Sequence, residues 1–194
     1  METMKYKDYE NMMQSILFKE EDIKNMVERI GSEVTAFYQR KGLSKNGKLL
    51  AIAVLKGAVI FFADLIRAIK VPVEVSFITA SSYGKATTSD GEVAVKMTLD
   101  PAMCAGADIM VVEDILDTGH TLSRVIAAFE EMGARSVTLC TLLDKPARRK
   151  VPIKADFIGA EIPDAFVVGY GLDYAEDYRQ LPYIGILKPE AYSK

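Results

Sequence analysis

Apolar residues in this chain fall into short unbroken runs, separated by stretches where they return every three or four positions. Leu49–Leu55, LLAIAVL, has no polar residue and predicts a strand buried on both faces. Lys56-Gly57 follows, and from Ala58 to Lys70 the apolar positions recur at helical spacing, which completes one βα unit. Val73–Ala80, Val93–Leu99, Ala107–Val112 and Ser136–Leu143 read as further strands. Between the last two, Leu122, Val125, Ile126, Phe129 and Met132 make one face of a helix that ends at Gly133. Doubly buried runs alternating with helices predict an α/β fold, a mainly parallel sheet flanked by helices.

Two stretches break the pattern. Ser81–Glu92, SSYGKATTSDGE, is small, polar and glycine-rich between two strands, and is either a hairpin loop or a mobile lid. The C-terminal third, from Asp156, has short apolar runs, prolines at 163, 182 and 189, and no long helix, as expected of a small cap on the sheet. No internal repeat interrupts this order, and 194 residues suit a single domain.

Composition narrows the class. With 49% hydrophobic and 26% charged residues, the chain has the balance of a soluble globular protein, and its longest apolar runs fall far short of a membrane span. The opening METMKYKDYENMMQ has no basic-then-apolar signal design, so a cytoplasmic location is expected. Cys104 and Cys140 are too few for a disulfide framework or a metal site and read as buried thiols. A net charge of −3 argues against a large nucleic-acid footprint.

The chemistry concentrates at Ile109–Thr121, IMVVEDILDTGHT, where an apolar run ends in three carboxylates and a glycine turn. Carboxylates at the end of a parallel strand reach sugar hydroxyls or a metal, and the N–H groups of a turn opening a helix hold a phosphate. Gly119 permits a tight turn, and Thr118 and Thr121 add hydroxyls. Asp117 or Thr121 could instead simply cap the helix. Against that, three acids in five residues exceed what capping requires, and an unengaged buried carboxylate is costly. Neither a nucleoside-triphosphate loop nor a full G-x-G-x-x-G follows any predicted strand.

The segment VVEDILDTGHT resembles the phosphoribosyl-diphosphate signature of the type I phosphoribosyltransferases. LLDKPARR at 142–149 and EIPDAFVVGYGLDYAEDYRQLPYIGIL at 161–187 resemble the 6-oxopurine branch of that family. With LKG at 55–57 and SSYG at 81–84, the likeness runs from about residue 50 to 187. It implies the type I phosphoribosyltransferase fold, a single domain over 1–194 with a core at about 45–155, a lid at about 81–92, and a base-binding hood at about 156–187 joined by part of the N-terminus. The implied reaction transfers the phosphoribosyl group to hypoxanthine or guanine with release of pyrophosphate. Homodimers or homotetramers are implied as well.

Residue by residue, the resemblance assigns the following. Glu113 and Asp114 would hold the ribose hydroxyls, directly or through Mg²⁺, and residues Asp117, Thr118, Gly119, His120 and Thr121 would cradle the 5′-phosphate. Asp117 would also lie near the purine N7, as general base or as electrostatic partner of its proton. Leu55, Lys56 and Gly57 would form the pyrophosphate loop, with a cis peptide before the lysine. Arg179 would reach the pyrophosphate, and Ser82 and Tyr83 would close over it. Asp173 would ligate magnesium largely through water, making Glu113, Asp114 and Asp173 the metal residues. In the base site Lys145 would donate to the purine O6, Phe166 would stack on the ring, the Val167 backbone would pair with the ring edge, and Ile115 would line the pocket.

Bland alternatives stand beside these roles: Lys56 as a solvated lysine, and Asp173 with Arg179 as a surface ion pair. His120 fills the variable position of D-T-G-x-T, where the backbone does the binding, so a catalytic histidine is not expected. Ala58 stands where some relatives have a second glycine. The run Lys145–Lys150 could be an RNA patch, as in a nucleotide-sensing regulator of this fold, or a loop beside an anionic substrate. A transferase preferring xanthine is a further alternative.

Overall fold

The computed structural model describes residues 6–43, 47–80, 95–96 and 99–192. The chain runs through α1 (Tyr6–Asn11), β1 (Met13–Phe18), α2 (Glu20–Lys41), β2 (Leu49–Leu55), α3 (Val59–Ala68), β3 (Val73–Ala80) and β4 (Val95–Lys96). It continues through α4 (Pro101–Cys104), β5 (Asp108–Leu116), α5 (His120–Glu131), β6 (Ser136–Asp144), β7 (Phe157–Glu161), β8 (Val167–Val168), β9 (Ile184–Leu187) and α6 (Pro189–Tyr192).

Six strands form the main sheet in the order β4-β3-β2-β5-β6-β7, parallel except for the β3–β4 pair. Along β2 the side chains alternate between two cores. Leu49, Ala51 and Ala53 join α2 and α3 on one face, and Leu50, Ile52 and Val54 join α5 on the other. β5 repeats this, with Met110 and Val112 toward α2 and α3 and Ile109 and Val111 toward α5. An unbroken apolar run is therefore what a strand covered by helices on both faces requires. Cys104 and Cys140 are buried thiols, one in each core.

Three elements differ from the sequence expectation. The 22-residue helix α2, which buries Ile23, Val27, Ile30, Val34 and Tyr38, was not anticipated. β5 extends four residues beyond Val112, because Glu113, Ile115 and Leu116 still pair with Thr141, Leu143 and Asp144 of β6. Phe157–Glu161, expected in the cap, is instead the edge strand of the main sheet, paired parallel to β6, with Phe157 set edge-on against Phe37 of α2 at 5.7 Å. The separate three-stranded sheet, order β1-β9-β8, unites the N- and C-terminal segments over the carboxyl end of the main sheet. The loop expected at 81–92 lies outside the described residues.

Candidate active site

Chain order reverses between β2 and β5, since β3 lies beside β2 on one side and β5 on the other. Such a switch point opens a crevice at the carboxyl ends of the strands. Two cavities occupy it. One, of about 200 Å³, is lined by Val54–Gly57 after β2 and by Glu113, Ile115, Asp117, Thr118, Gly119, Thr121 and Leu122. The other, of about 560 Å³, lies under the small sheet, and Asp114, Lys145, Arg148, Phe166, Val167, Asp173 and Tyr192 are among its walls. Ile115 and Asp117 line both, so the cavities meet at the tip of β5. A larger groove of about 810 Å³ runs between α2, α3 and the 180–182 turn, and none of the predicted site residues lines it.

The smaller cavity has the chemistry of a phosphate site. Helix α5 begins at Gly119, whose φ of +86° lies in the left-handed region, and no side chain caps it. The capping alternative for Asp117 and Thr121 therefore does not hold. An uncapped helix start leaves N–H donors and a positive dipole end for an anion. A Cβ at residue 119 would also meet Ile153 Cγ2 at 2.5 Å and Val151 Cγ2 at 2.9 Å, so the turn has room only for glycine. Arg149 fixes it from behind, donating to the carbonyls of Leu116, at 3.0 Å, and Asp117 while pairing with the Asp144 carboxylate. His120 is exposed at the first position of α5.

Alternation along β5 sends the two adjacent acids to different cavities, Glu113 toward the phosphate side and Asp114 toward the small sheet. Oε2 of Glu113 is sealed from solvent and has no hydrogen-bond partner among the described residues. Burial, and then the charge of Asp114, push the Glu113 carboxyl well above the usual carboxylate range. Burial also raises Asp114, but hydrogen bonds from Glu113 and the Ile115 N–H, together with the charge of Arg179, act against it. Glu113 is therefore the harder of the two to ionise.

The β2 loop closes against this pair. The Leu55–Lys56 peptide is cis. A Cβ on Gly57 would collide with Asp114 Oδ2, and one on Gly171 with the Gly57 carbonyl, so two glycines allow these backbones and the carboxylate to nest. Ala58 is in ordinary right-handed helical conformation and needs no glycine. Lys56 Nζ lies 3.0 Å from Glu176 Oε1, and Arg179 contacts Glu176 at 3.2 Å and Asp173 at 2.9 Å. Asp173 and Arg179 are thus an ion pair, as the bland alternative had it, although a partly buried one, and Lys56 is paired as well. Glu176 is the hub of this loop, with its carboxyl lowered first by Lys56 and then by Arg179. Nothing in its sequence context singled it out.

The larger cavity gathers the predicted base-site residues Ile115, Lys145, Phe166, Val167 and Asp173. Lys145, buried at the end of β6, donates to the Ala165 carbonyl at 2.7 Å. Arg148 Nε stands 3.1 Å from Asp117 Oδ1 and Nη1 3.7 Å from Asp164. Of the basic run 145–150, Lys145 and Arg149 are turned inward, and Arg148, although exposed, is paired with Asp117 and Asp164. Among the described residues no three acidic, histidine or cysteine side chains converge as a metal cage, so Asp173 is not gathered with Glu113 and Asp114. Ser82 and Tyr83 lie outside the described residues.

A model of the phosphoribosyl transferase domain matches residues 22–175. The chain is 51% identical to the hypoxanthine-guanine phosphoribosyltransferase of Bacillus subtilis (strain 168) over 180 residues, covering 93% of this chain and 96% of that protein. It is 43% identical to the enzyme of the same name from Staphylococcus aureus (strain Mu50 / ATCC 700699) over 183 residues, 94% of this chain and 98% of that one. The solved structure of a hypoxanthine phosphoribosyltransferase from Staphylococcus aureus superposes with a TM-score of 0.85 at 40% identity, covering 96% and 98% of the two chains. Site geometry and likeness along nearly the whole length agree: the chain belongs to the phosphoribosyltransferase family.

Proposed function

We propose that this protein is a 6-oxopurine phosphoribosyltransferase of purine salvage, converting hypoxanthine or guanine and 5-phosphoribosyl-1-diphosphate to IMP or GMP and pyrophosphate. The observation that carries the reading is the meeting of a phosphate-type cavity and a base-sized cavity at the tip of β5, with Asp117 on the wall of both. A nucleoside monophosphate needs two such compartments joined over its sugar.

The uncapped start of α5 would hold the 5′-phosphate, and the ribose would lie across Glu113 and Asp114. The cis-linked Leu55–Gly57 loop and Arg179 would receive the pyrophosphate, with Ser82 and Tyr83 as further contacts to it. In the larger cavity Phe166 would stack on the base, Val167 would pair with its edge, and Lys145 would turn part of its donor capacity to O6. Asp117, freed from Arg148, would attract the proton at N7 as positive charge builds on the sugar. Adenine places an amino donor where Lys145 also donates, leaving donors unpaired at about 1–3 kcal/mol each.

Magnesium fits the donor set. The buried Glu113 oxygen, which has no partner among the described residues, and the Asp114 carboxylate beside it are hard oxygen ligands, and Asp173 can act through water. That ion keeps several waters and takes substrate oxygens, so no all-protein cage is required. When bound, it would neutralise charge on the diphosphate leaving group. We further propose a cytoplasmic location. Among the described residues no helix is long and apolar enough to cross a membrane. Assembly as a homodimer or homotetramer is also proposed, supported by the exposed apolar Val75 and Phe77 of β3 and Val59 of α3, and sedimentation would test it.

The test mixes the protein with phosphoribosyl diphosphate, magnesium and each base in turn and follows pyrophosphate release. Turnover is expected with hypoxanthine and guanine and little with adenine. No turnover with either 6-oxopurine would overturn the reading.

A further inference from the structure

We propose that Tyr192, in the C-terminal turn, is a positioning residue of the base site, holding the Phe166 ring in the plane on which the purine stacks. The proposal rests on the base-site reading of the larger cavity given above. Phe166 follows a loop and precedes a two-residue strand, and it is 37% exposed, so the apolar core does not hold its ring. What holds it is aromatic. Tyr192 stacks on it with centroids 4.8 Å apart and planes 22° from parallel, and Tyr174 meets it edge-on at 5.6 Å and 88°. The two tyrosines stand 6.5 Å apart at 66°, so three rings form a closed cluster, of which Phe166 and Tyr192 line the cavity.

The backbone explains why Tyr192 arrives there. The Leu187 N–H donates to the Phe166 carbonyl at 2.8 Å, tying the end of β9 to the stacking residue itself. One residue later the Lys188 N–H donates to the Met12 carbonyl at 3.0 Å, and its Nζ to the Asn11 carbonyl at 2.7 Å. Pro189 then opens α6, and Ala191 N–H closes its turn on Lys188 O at 3.0 Å. The final turn is therefore anchored at both the Phe166 strand and the N-terminal segment. Stacking a base on a ring whose orientation is already fixed avoids the entropy of fixing it during binding. This gives the union of the two chain ends in one small sheet a role in base affinity.

The test compares Tyr192→Ala, Tyr192→Leu, Tyr192→Phe, Phe166→Ala and the double variant Phe166→Ala/Tyr192→Ala in the full chain. KM for hypoxanthine, KM for phosphoribosyl diphosphate and calorimetric Kd for GMP are measured, with thermal melts as a check on folding. An aromatic pair of this geometry predicts a roughly 2- to 10-fold rise in hypoxanthine KM and GMP Kd for Tyr192→Ala and Tyr192→Leu. KM for phosphoribosyl diphosphate should stay within about twofold, and Tyr192→Phe should recover most of the loss. In the double variant the Tyr192 effect should vanish, because its action passes through Phe166. Unchanged base affinity in a folded Tyr192→Leu, or additive losses in the double variant, would overturn the proposal. Tighter base binding would show Tyr192 to occupy the place of the base. If Phe166→Ala itself left base affinity intact while Phe166→Ala still bound phosphoribosyl diphosphate, the base-site reading would fail, and the brace with it.

Discussion

Replacing Glu113 by Gln should stabilise the protein at neutral pH while damaging its activity. The Glu113 carboxyl is buried beside Asp114, and both circumstances raise its folded-state titration above the ordinary glutamate range. Below that range folded and unfolded chains both carry the proton, and stability is at its fullest. As pH rises through the ordinary glutamate value the unfolded chain loses its proton first, and stability falls by about 1.4 kcal/mol per pH unit until the folded group ionises. Glutamine removes the ionisation and preserves the shape. A single pH unit of such coupling corresponds to about 1.4 kcal/mol, or roughly 3–5 °C in Tm for a chain of this length. Thermal melts of both proteins from pH 5 to 8 would show the variant gaining on the wild type as pH rises. If Glu113 contacts the ribose or its cation, kcat/KM should fall by roughly 10- to 100-fold, the size of one lost charged hydrogen bond. A variant that melts lower at pH 7.5, or whose Tm difference is flat with pH, would refute a Glu113 whose titration is raised by burial and by Asp114.

Other substitutions test the remaining parts. Asp117→Asn should lower kcat by roughly 100-fold while the KM for phosphoribosyl diphosphate changes little, as expected of a group acting on the base proton; equal losses in both would mark a phosphate-loop residue. Gly119→Ala forces a Cβ to within 2.5 Å of Ile153 in a left-handed turn, and should lose about 1–3 kcal/mol in denaturant melts and weaken nucleotide monophosphate binding. Lys145→Met keeps the length of the side chain and removes its donor, so hypoxanthine KM should rise roughly 10- to 100-fold and discrimination against adenine should narrow in the pyrophosphate-release assay.

What the sequence made legible follows from packing. β2 is apolar throughout because helices cover both faces, and such a run stands out without any alignment. The same logic made α2 readable in principle, since Ile23, Val27, Ile30, Val34 and Tyr38 recur at helical spacing, but a strongly acidic first turn and polar outer face obscured the stripe. β5 extends four residues past its apolar run because Glu113 and Asp114 break that run, side chains that a strand rarely buries and that only the crevice explains, while the pairing with β6 continues to Leu116. Tyr192 and Glu176 were not legible at all. Each owes its place to residues far along the chain, Tyr192 through the pairing of β9 with Phe166 and Glu176 through Lys56.

The two ends of β5 show why a cluster of acids reads as a site only when its partners are known. At the amino end Asp108 is fully buried, yet Lys41 stands at 3.1 Å, Arg135 at 3.6 Å and the Ser136 hydroxyl donates at 2.6 Å. Its charge is answered within the fold, and its role is to join α2 to the β5–β6 pair. At the carboxyl end Glu113 and Asp114 are also enclosed, but each charge stands beside the other, and Glu113 Oε2 has no hydrogen-bond partner among the described residues. A buried carboxyl oxygen left so is destabilising unless a ligand completes it. The same strand thus carries one acid that stabilises the fold and two that are held against it. That contrast, rather than the number of carboxylates, identifies the tip of β5 as the place where a sugar and its cation would supply what the protein omits.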